Sequence, residues 1–120
     1  MKTILVVDDF ASVRFYHQSL LRQGGYETVT AGDGAEALAA LENKSVDLVL
    51  LDLMMPKMNG IEFVQRVRAS GRHAQLPILV ITGEAHLEQA RQLQSTPRLG
   101  LLAKPLLPGA LLEEVRRLLV

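Results

Sequence analysis

Three stretches constrain the fold most: TILVV (3–7), VDLVLL (46–51) and PILVIT (77–82). Each is short, mostly apolar and rich in β-branched residues. Runs of this length fit strands buried on both faces, as in parallel sheets. ETVTA (27–31) alternates and fits a strand nearer an edge, and GLLA (100–103) is a short fifth candidate. Helical stretches lie between them. Residues 12–23 carry Val13, Tyr16, Leu20 and Leu21 on one face, with Gly24-Gly25 as a stop. Residues 35–42 carry Ala37, Leu38 and Leu41 behind a capping Asp33, and residues 60–70 carry Ile61, Val64 and Val67 behind Asn59. Residues 109–119 carry Leu112, Val115 and Leu119. The stretch 84–94 is the weakest helix, with a thin stripe of Leu87, Ala90 and Leu93 among polar residues.

Strand and helix therefore alternate five times, which predicts an α/β fold with a parallel sheet covered by helices on both faces. The 120 residues suit one domain, 1–120, with no output domain attached. Lys+Arg 13 balances Asp+Glu 13, so no basic footprint for nucleic acid is present. No apolar run is long enough to span a membrane, and the N-terminal run meets two acids, unlike a signal peptide. There are no cysteines, which excludes disulfides, thiol catalysis and cysteine metal sites. A cytoplasmic protein is expected.

In sheets of this kind ligands sit outside the carboxyl ends of the strands. The strand ends here are Asp8-Asp9, Asp52, Thr82-Gly83 and Ala103 followed by Lys104-Pro105. Asp is a poor strand former, and an uncompensated buried carboxylate costs several kcal/mol. Three ionised carboxylates about 4 Å apart repel by on the order of 4 kcal/mol per pair at an effective dielectric of 20. A raised pKa, Lys104 or a divalent cation must offset that. Hard oxygen ligands without His or Cys suit Mg2+. A phosphoryl group could then bridge metal, Lys104, Thr82 and backbone N–H groups, with a carboxylate as nucleophile. Taken singly, Asp8-Asp9 could be a helix cap, Asp52 a turn residue, Lys104 a surface lysine and Thr82 an ordinary strand end. The set together is much more specific. His17, His73 and His86 are scattered and are not expected to bind metal, and Met54, Met55 and Met58 are expected to pack.

The segments VVDDFASVR, LLDLMMPKMNG, VITGEA and AKPL, in this order, resemble the receiver domain of two-component response regulators, and most of all stand-alone receivers of the chemotaxis type. The resemblance covers essentially the whole chain. It implies a flavodoxin-like (βα)5 fold with strand order 2-1-3-4-5. It also implies Asp52 as phosphoacceptor, and Asp8, Asp9, Asp52 and the backbone carbonyl of Met54 around Mg2+. Lys104 would pair with the phosphoryl group, Thr82 would signal its presence, and Gly83 and Met54 would offer backbone N–H groups. Pro105 would follow an often cis peptide. The implied donor is a histidine kinase or phosphotransfer protein. The implied output is a downstream protein target or a homodimer through the face of helix 4, strand 5 and helix 5, where Leu87, Leu101 and Leu106 fall. Such a protein catalyses only its own phosphorylation and dephosphorylation, and is not otherwise an enzyme.

The chain departs from the pattern in two places. Leu101 stands where the family usually has an aromatic that follows the threonine, and Pro97-Arg98 replaces a small Gly-Ala pair. Pro97 is expected to end the fourth helix. Leucines left over from 99–112, with Leu101, Leu106 and Leu107 as candidates, would form an apolar surface for a partner or a dimer, or else belong to the core. The alternative function is a phosphorylation-independent interaction module. A flavodoxin-type phosphate cradle is disfavoured by Asp8-Asp9, a haloacid dehalogenase-type phosphatase lacks its second acid where Met54 stands, and no P-loop is present.

Overall fold

The computed structural model describes residues 1–53, 59–93 and 95–120. Five parallel strands, β1 (Thr3–Val7), β2 (Glu27–Ala31), β3 (Leu48–Asp52), β4 (Ile78–Thr82) and β5 (Leu99–Ala103), lie in the order β2-β1-β3-β4-β5. The helices are α1 (Ala11–Gln23), α2 (Gly34–Asn43), α3 (Gly60–Ala69), α4 (Leu87–Arg91) and α5 (Pro108–Leu119). The flavodoxin-like doubly wound fold is the expected one.

The strand alternation divides the core in two. Leu5, Val7, Val49, Leu51, Ile78 and Val80 face α2, α3 and α4, packing on Ala37, Leu41, Phe63, Val67 and Ala90. Ile4, Val6, Leu48, Leu50, Leu79 and Ile81 face the other way, onto Leu20 and Leu21 of α1 and Leu111, Val115 and Leu118 of α5. Both faces of the central strands are buried, which is why those runs read as continuously apolar. β2 is an edge strand with Glu27 and Thr30 exposed and only Ala31 fully buried, which is why its sequence mixes polar and apolar residues.

The predicted caps form. Asp33 accepts from Glu36 N at 2.8 Å and Asn59 from Glu62 N at 2.9 Å. Gly24 N closes α1 onto Leu20 O and Leu21 O, and Gly25 takes φ 91°, where glycine is unstrained. Several details differ from expectation. β3 begins at Leu48, paired with Ile4; Asp47 just before it donates its N–H to Thr3 O and accepts from Thr3 N through its side-chain Oδ2, in place of a backbone carbonyl. On α1 the buried positions are His17, Leu20 and Leu21, while Tyr16 is exposed. On α5 they are Leu111, Val115 and Leu118, with Leu112 and Leu119 only partly buried at the margin. α4 is a single short helix after a 3-10 turn at Glu84–His86, and it ends well before Pro97. Its thin stripe supports little more, since Ala90 and Leu93 are its buried members. Pro97 lies in the following turn. Arg98 there has φ 57°, the conformation a glycine would take freely, and its guanidinium is bonded to Leu118 O of α5.

Gly60, the first residue of α3, packs against the backbone of Leu53. Its N–H donates to Leu53 O at 2.5 Å, and a Cβ there would lie 2.7 Å from Leu53 Cα and O. Backbone cannot yield as a flexible side chain does. Gly60→Ala should lose on the order of 2–3 kcal/mol in urea denaturation; unchanged stability would show that the Gly60–Leu53 contact yields at little cost.

Candidate functional site

The acid cluster lies at the carboxyl edge of the sheet. Asp8 follows β1, its N–H donating to Ala31 O at 3.2 Å. Asp52 is the last residue of β3, in register with Ile81. One ligand oxygen from each of Asp8, Asp9 and Asp52 lies within 4.8 Å of the others. Asp8 is buried, and Asp9 and Asp52 are half-buried. Asp8 Oδ1 accepts from Phe10 N at 2.9 Å, whereas Asp8 Oδ2 is buried and, among the described residues, has no hydrogen-bond partner. A buried carboxylate oxygen left this way is costly unless a cation or proton meets it. The donor set is hard oxygen, the buried orphan belongs to it, and no thiolate is near, so the residues fit Mg2+.

Lys104 supplies the opposite charge. Its Nζ lies 3.8 Å from Asp52 Oδ1, with the lysine side chain 43% exposed and the aspartate 12%. The pair is at the outer limit of an ion pair, so Lys104 is poised beside Asp52 rather than clamped to it. Lys104 N donates to Thr82 O at 2.8 Å, which ties β5 to the end of β4, and the Lys104-Pro105 peptide is cis. Thr82 is buried and its Oγ1 donates to Gly83 O at 3.3 Å. Gly83 opens the turn into α4. The backbone groups of Met54 and the packing of Met55 and Met58 lie outside the described residues.

The leucines expected on the output face are divided. Leu101 and Leu106 are half-buried and packed against opposite core clusters. Leu87 is half-buried and Leu107 is 66% exposed. The larger exposed apolar groups are Phe10, Phe15 and Tyr16, at the start of α1 and within it. Val13, Tyr16 and His17 line a cavity of about 330 Å³ with Ile81, Lys104, Pro105 and Leu106.

The spacing of His17 from Leu20 and Leu21 is that of one buried stripe, a signal that its polar ring hides in the sequence. Burial pushes its imidazole below the usual histidine value of 6.5, Asp8 works against that, and Lys104 adds to it. The neutral form is therefore favoured in the folded chain. The unfolded chain binds the proton first, so this contribution to stability is whole above pH 6.5 and is lost as pH falls through the lower folded value. Denaturation from neutral pH down to about pH 5 should show a loss of stability that His17→Gln reduces; the same loss in the variant would assign it to other groups.

A parallel α/β sheet carrying three carboxylates, a hydroxyl and a lysine at its carboxyl edge defines a receiver-type site. The family model for the response regulator receiver domain matches residues 4–116, and the chain belongs to that family. It is 35% identical over 116 residues to the chemotaxis protein CheY of Pseudomonas aeruginosa, covering 96% of this chain and 94% of that one. The solved structure of Vibrio cholerae CheY4 superposes with TM-score 0.89 at 37% identity, covering 98% of each chain. The chain is also 36% identical over 115 residues to the Vibrio cholerae CAI-1 autoinducer sensor kinase/phosphatase CqsS, covering 95% of this chain and spanning only 17% of that protein's length. The chain is thus a receiver domain of the two-component type, the class of domain that serves phosphoacceptor signalling. Among the described residues no helix is long and apolar enough to cross a membrane.

Proposed function

We propose that this receiver takes a phosphoryl group onto Asp52 and relays its presence to a protein partner. The observation that carries this reading is the cluster itself: three carboxylates with ligand oxygens within 4.8 Å of one another, one with a buried oxygen unpartnered among the described residues, beside a lysine 3.8 Å from Asp52.

Asp8, Asp9 and Asp52 would hold Mg2+. When bound, the ion supplies positive charge against the carboxylates and against the phosphoryl oxygens. The donor is a phosphohistidine of a histidine kinase or phosphotransfer protein. An Asp52 carboxylate oxygen attacks phosphorus, the N–P bond breaks, and its electron pair returns to the donor imidazole. The Lys104 ammonium pairs with the phosphoryl oxygens, and the Thr82 hydroxyl and Gly83 N–H lie on the same edge to meet them. Water later cleaves the acyl phosphate and restores Asp52. The chain so modifies only itself. The family setting supports a cytoplasmic location.

The output runs through β4 and β5. Thr82 O holds Lys104 N, and Val80 is in register with Leu101, so a shift of Thr82 is felt directly at β5. With Leu101 in place of an aromatic, a main-chain or α4 shift carries the signal to the α4–β5–α5 face. Phosphorylation biases that face between two states. Lys104→Ala should keep Mg2+ affinity within a few-fold in calorimetry, yet leave the amide spectrum of β5 unchanged on addition of beryllofluoride, which shifts it in wild type; a wild-type response in the variant would remove Lys104 from the relay.

Intact mass after incubation with acetyl phosphate tests the function as a whole. A magnesium-dependent gain of one phosphoryl group is expected. No gain, together with no beryllofluoride binding, would make the chain a phosphorylation-independent interaction module.

A further inference from the structure

The two acids after β1 need a fixed backbone to stay turned toward Asp52, and three bonds hold the first of them. Asp8 N donates to Ala31 O of β2 at 3.2 Å, Phe10 N donates to Asp8 Oδ1 at 2.9 Å, and Arg14 Nη1 donates to the Asp8 carbonyl at 2.6 Å. That carbonyl belongs to the peptide joining Asp8 to Asp9. A rotation about this peptide that carried the Asp9 carboxylate away from the cluster would break both the Phe10 N–Asp8 Oδ1 bond, which spans the peptide, and the Arg14 bond, which alone grips the peptide's own carbonyl.

Arg14 is itself held. It stands one turn into α1, with Arg14 N bonded to Phe10 O at 3.0 Å. Its guanidinium lies over the turn after β2, where a Cβ on Gly32 would be 3.3 Å from Arg14 Nη1. Gly32 N donates to Glu36 Oε2 at 3.2 Å, and Glu36 N donates to the α2 cap Asp33 at 2.8 Å. The absent side chain at Gly32 leaves the space the guanidinium uses. Arg14 therefore spans from the turn after β2 to the Asp8-Asp9 peptide.

We propose that Arg14 is a positioning residue of the acidic site, holding the Asp8-Asp9 peptide so that both carboxylates stay turned toward Asp52. It touches neither a carboxylate nor the phosphoryl group, and acts through the backbone carbonyl. The inference rests on the reading of the cluster as a magnesium site, so one readout must be independent of the metal.

The test compares wild type, Arg14→Met and Arg14→Lys by magnesium titration calorimetry in low and high KCl, and by the ¹³C carboxyl shifts of Asp8 and Asp9 in metal-free protein. Arg14→Met keeps the apolar stem and loses the donor; its affinity should fall about tenfold, the range for residues that orient metal ligands. Arg14→Lys, which retains a donor of similar reach, should recover most of that loss. The ratio of wild type to Arg14→Met should persist in high salt, where a bare charge effect is screened. The metal-free shifts of Asp8 and Asp9 should move in Arg14→Met, with those of distant carboxyls unmoved. An affinity ratio below about twofold, a ratio that vanishes in salt, or failure of lysine to restore would each overturn the proposal. If wild type binds no magnesium, the metal reading fails; Arg14 is then judged by the metal-free shifts alone, and unmoved Asp8 and Asp9 resonances would overturn its role.

Discussion

Asp52→Asn should gain no phosphoryl mass from acetyl phosphate at any magnesium concentration, while the wild type gains one group. Asparagine keeps the shape of the side chain and lacks the anionic oxygen that attacks phosphorus, so the loss is complete rather than graded. The fold should survive and become more stable in metal-free buffer. One ionised carboxylate leaves a cluster whose ligand oxygens lie within 4.8 Å of one another. Against this, the contact with Lys104 is lost, and at 3.8 Å to a lysine that is 43% exposed it is a long, partly screened pair. After solvent screening the net gain is on the order of 1 kcal/mol, or roughly 3–5 °C in Tm for a chain of this size. A drop in Tm would mean that the contacts of Asp52 outweigh the repulsion. Undiminished phosphoryl uptake would place the acceptor elsewhere.

Asp9→Ala should weaken magnesium binding by about a hundredfold, on the order of 3 kcal/mol. Asp9 is half-buried and lies in the cluster without belonging to a strand, so its removal disturbs little packing. Far-ultraviolet circular dichroism should therefore stay unchanged while calorimetric heat on magnesium addition disappears at concentrations that saturate wild type. Wild-type affinity in the variant would remove Asp9 from the metal site.

The strands were legible because burial on both faces leaves an unbroken apolar run, and β1, β3 and β4 have that burial. The site followed, since strand ends of a parallel sheet converge and Asp8, Asp52, Thr82 and Lys104 each close or follow a strand. Helix faces were less legible. In α5 Leu111 and Leu112 are adjacent leucines, as are Leu118 and Leu119, and the pattern alone does not choose between stripes one residue apart. In α1 Tyr16, expected on the buried face, is exposed and His17 is buried beside it, because the helix angle set by Leu20 and Leu21 buries position 17. The span of α4 was overestimated, since among the described residues of that stretch only Ala90 and Leu93 are buried in the core. Arg14 left no pattern to read: its partner is a backbone carbonyl, which any residue carries.

The most direct measurement is the position of the phosphoryl group. Borohydride reduces an aspartyl phosphate to homoserine, so protein phosphorylated with acetyl phosphate and magnesium can be reduced, digested and sequenced by mass spectrometry. Homoserine at position 52, and at no other aspartate, is the predicted result. Homoserine at position 8 or 9, or none in protein that has gained phosphoryl mass, would contradict Asp52 as the acceptor.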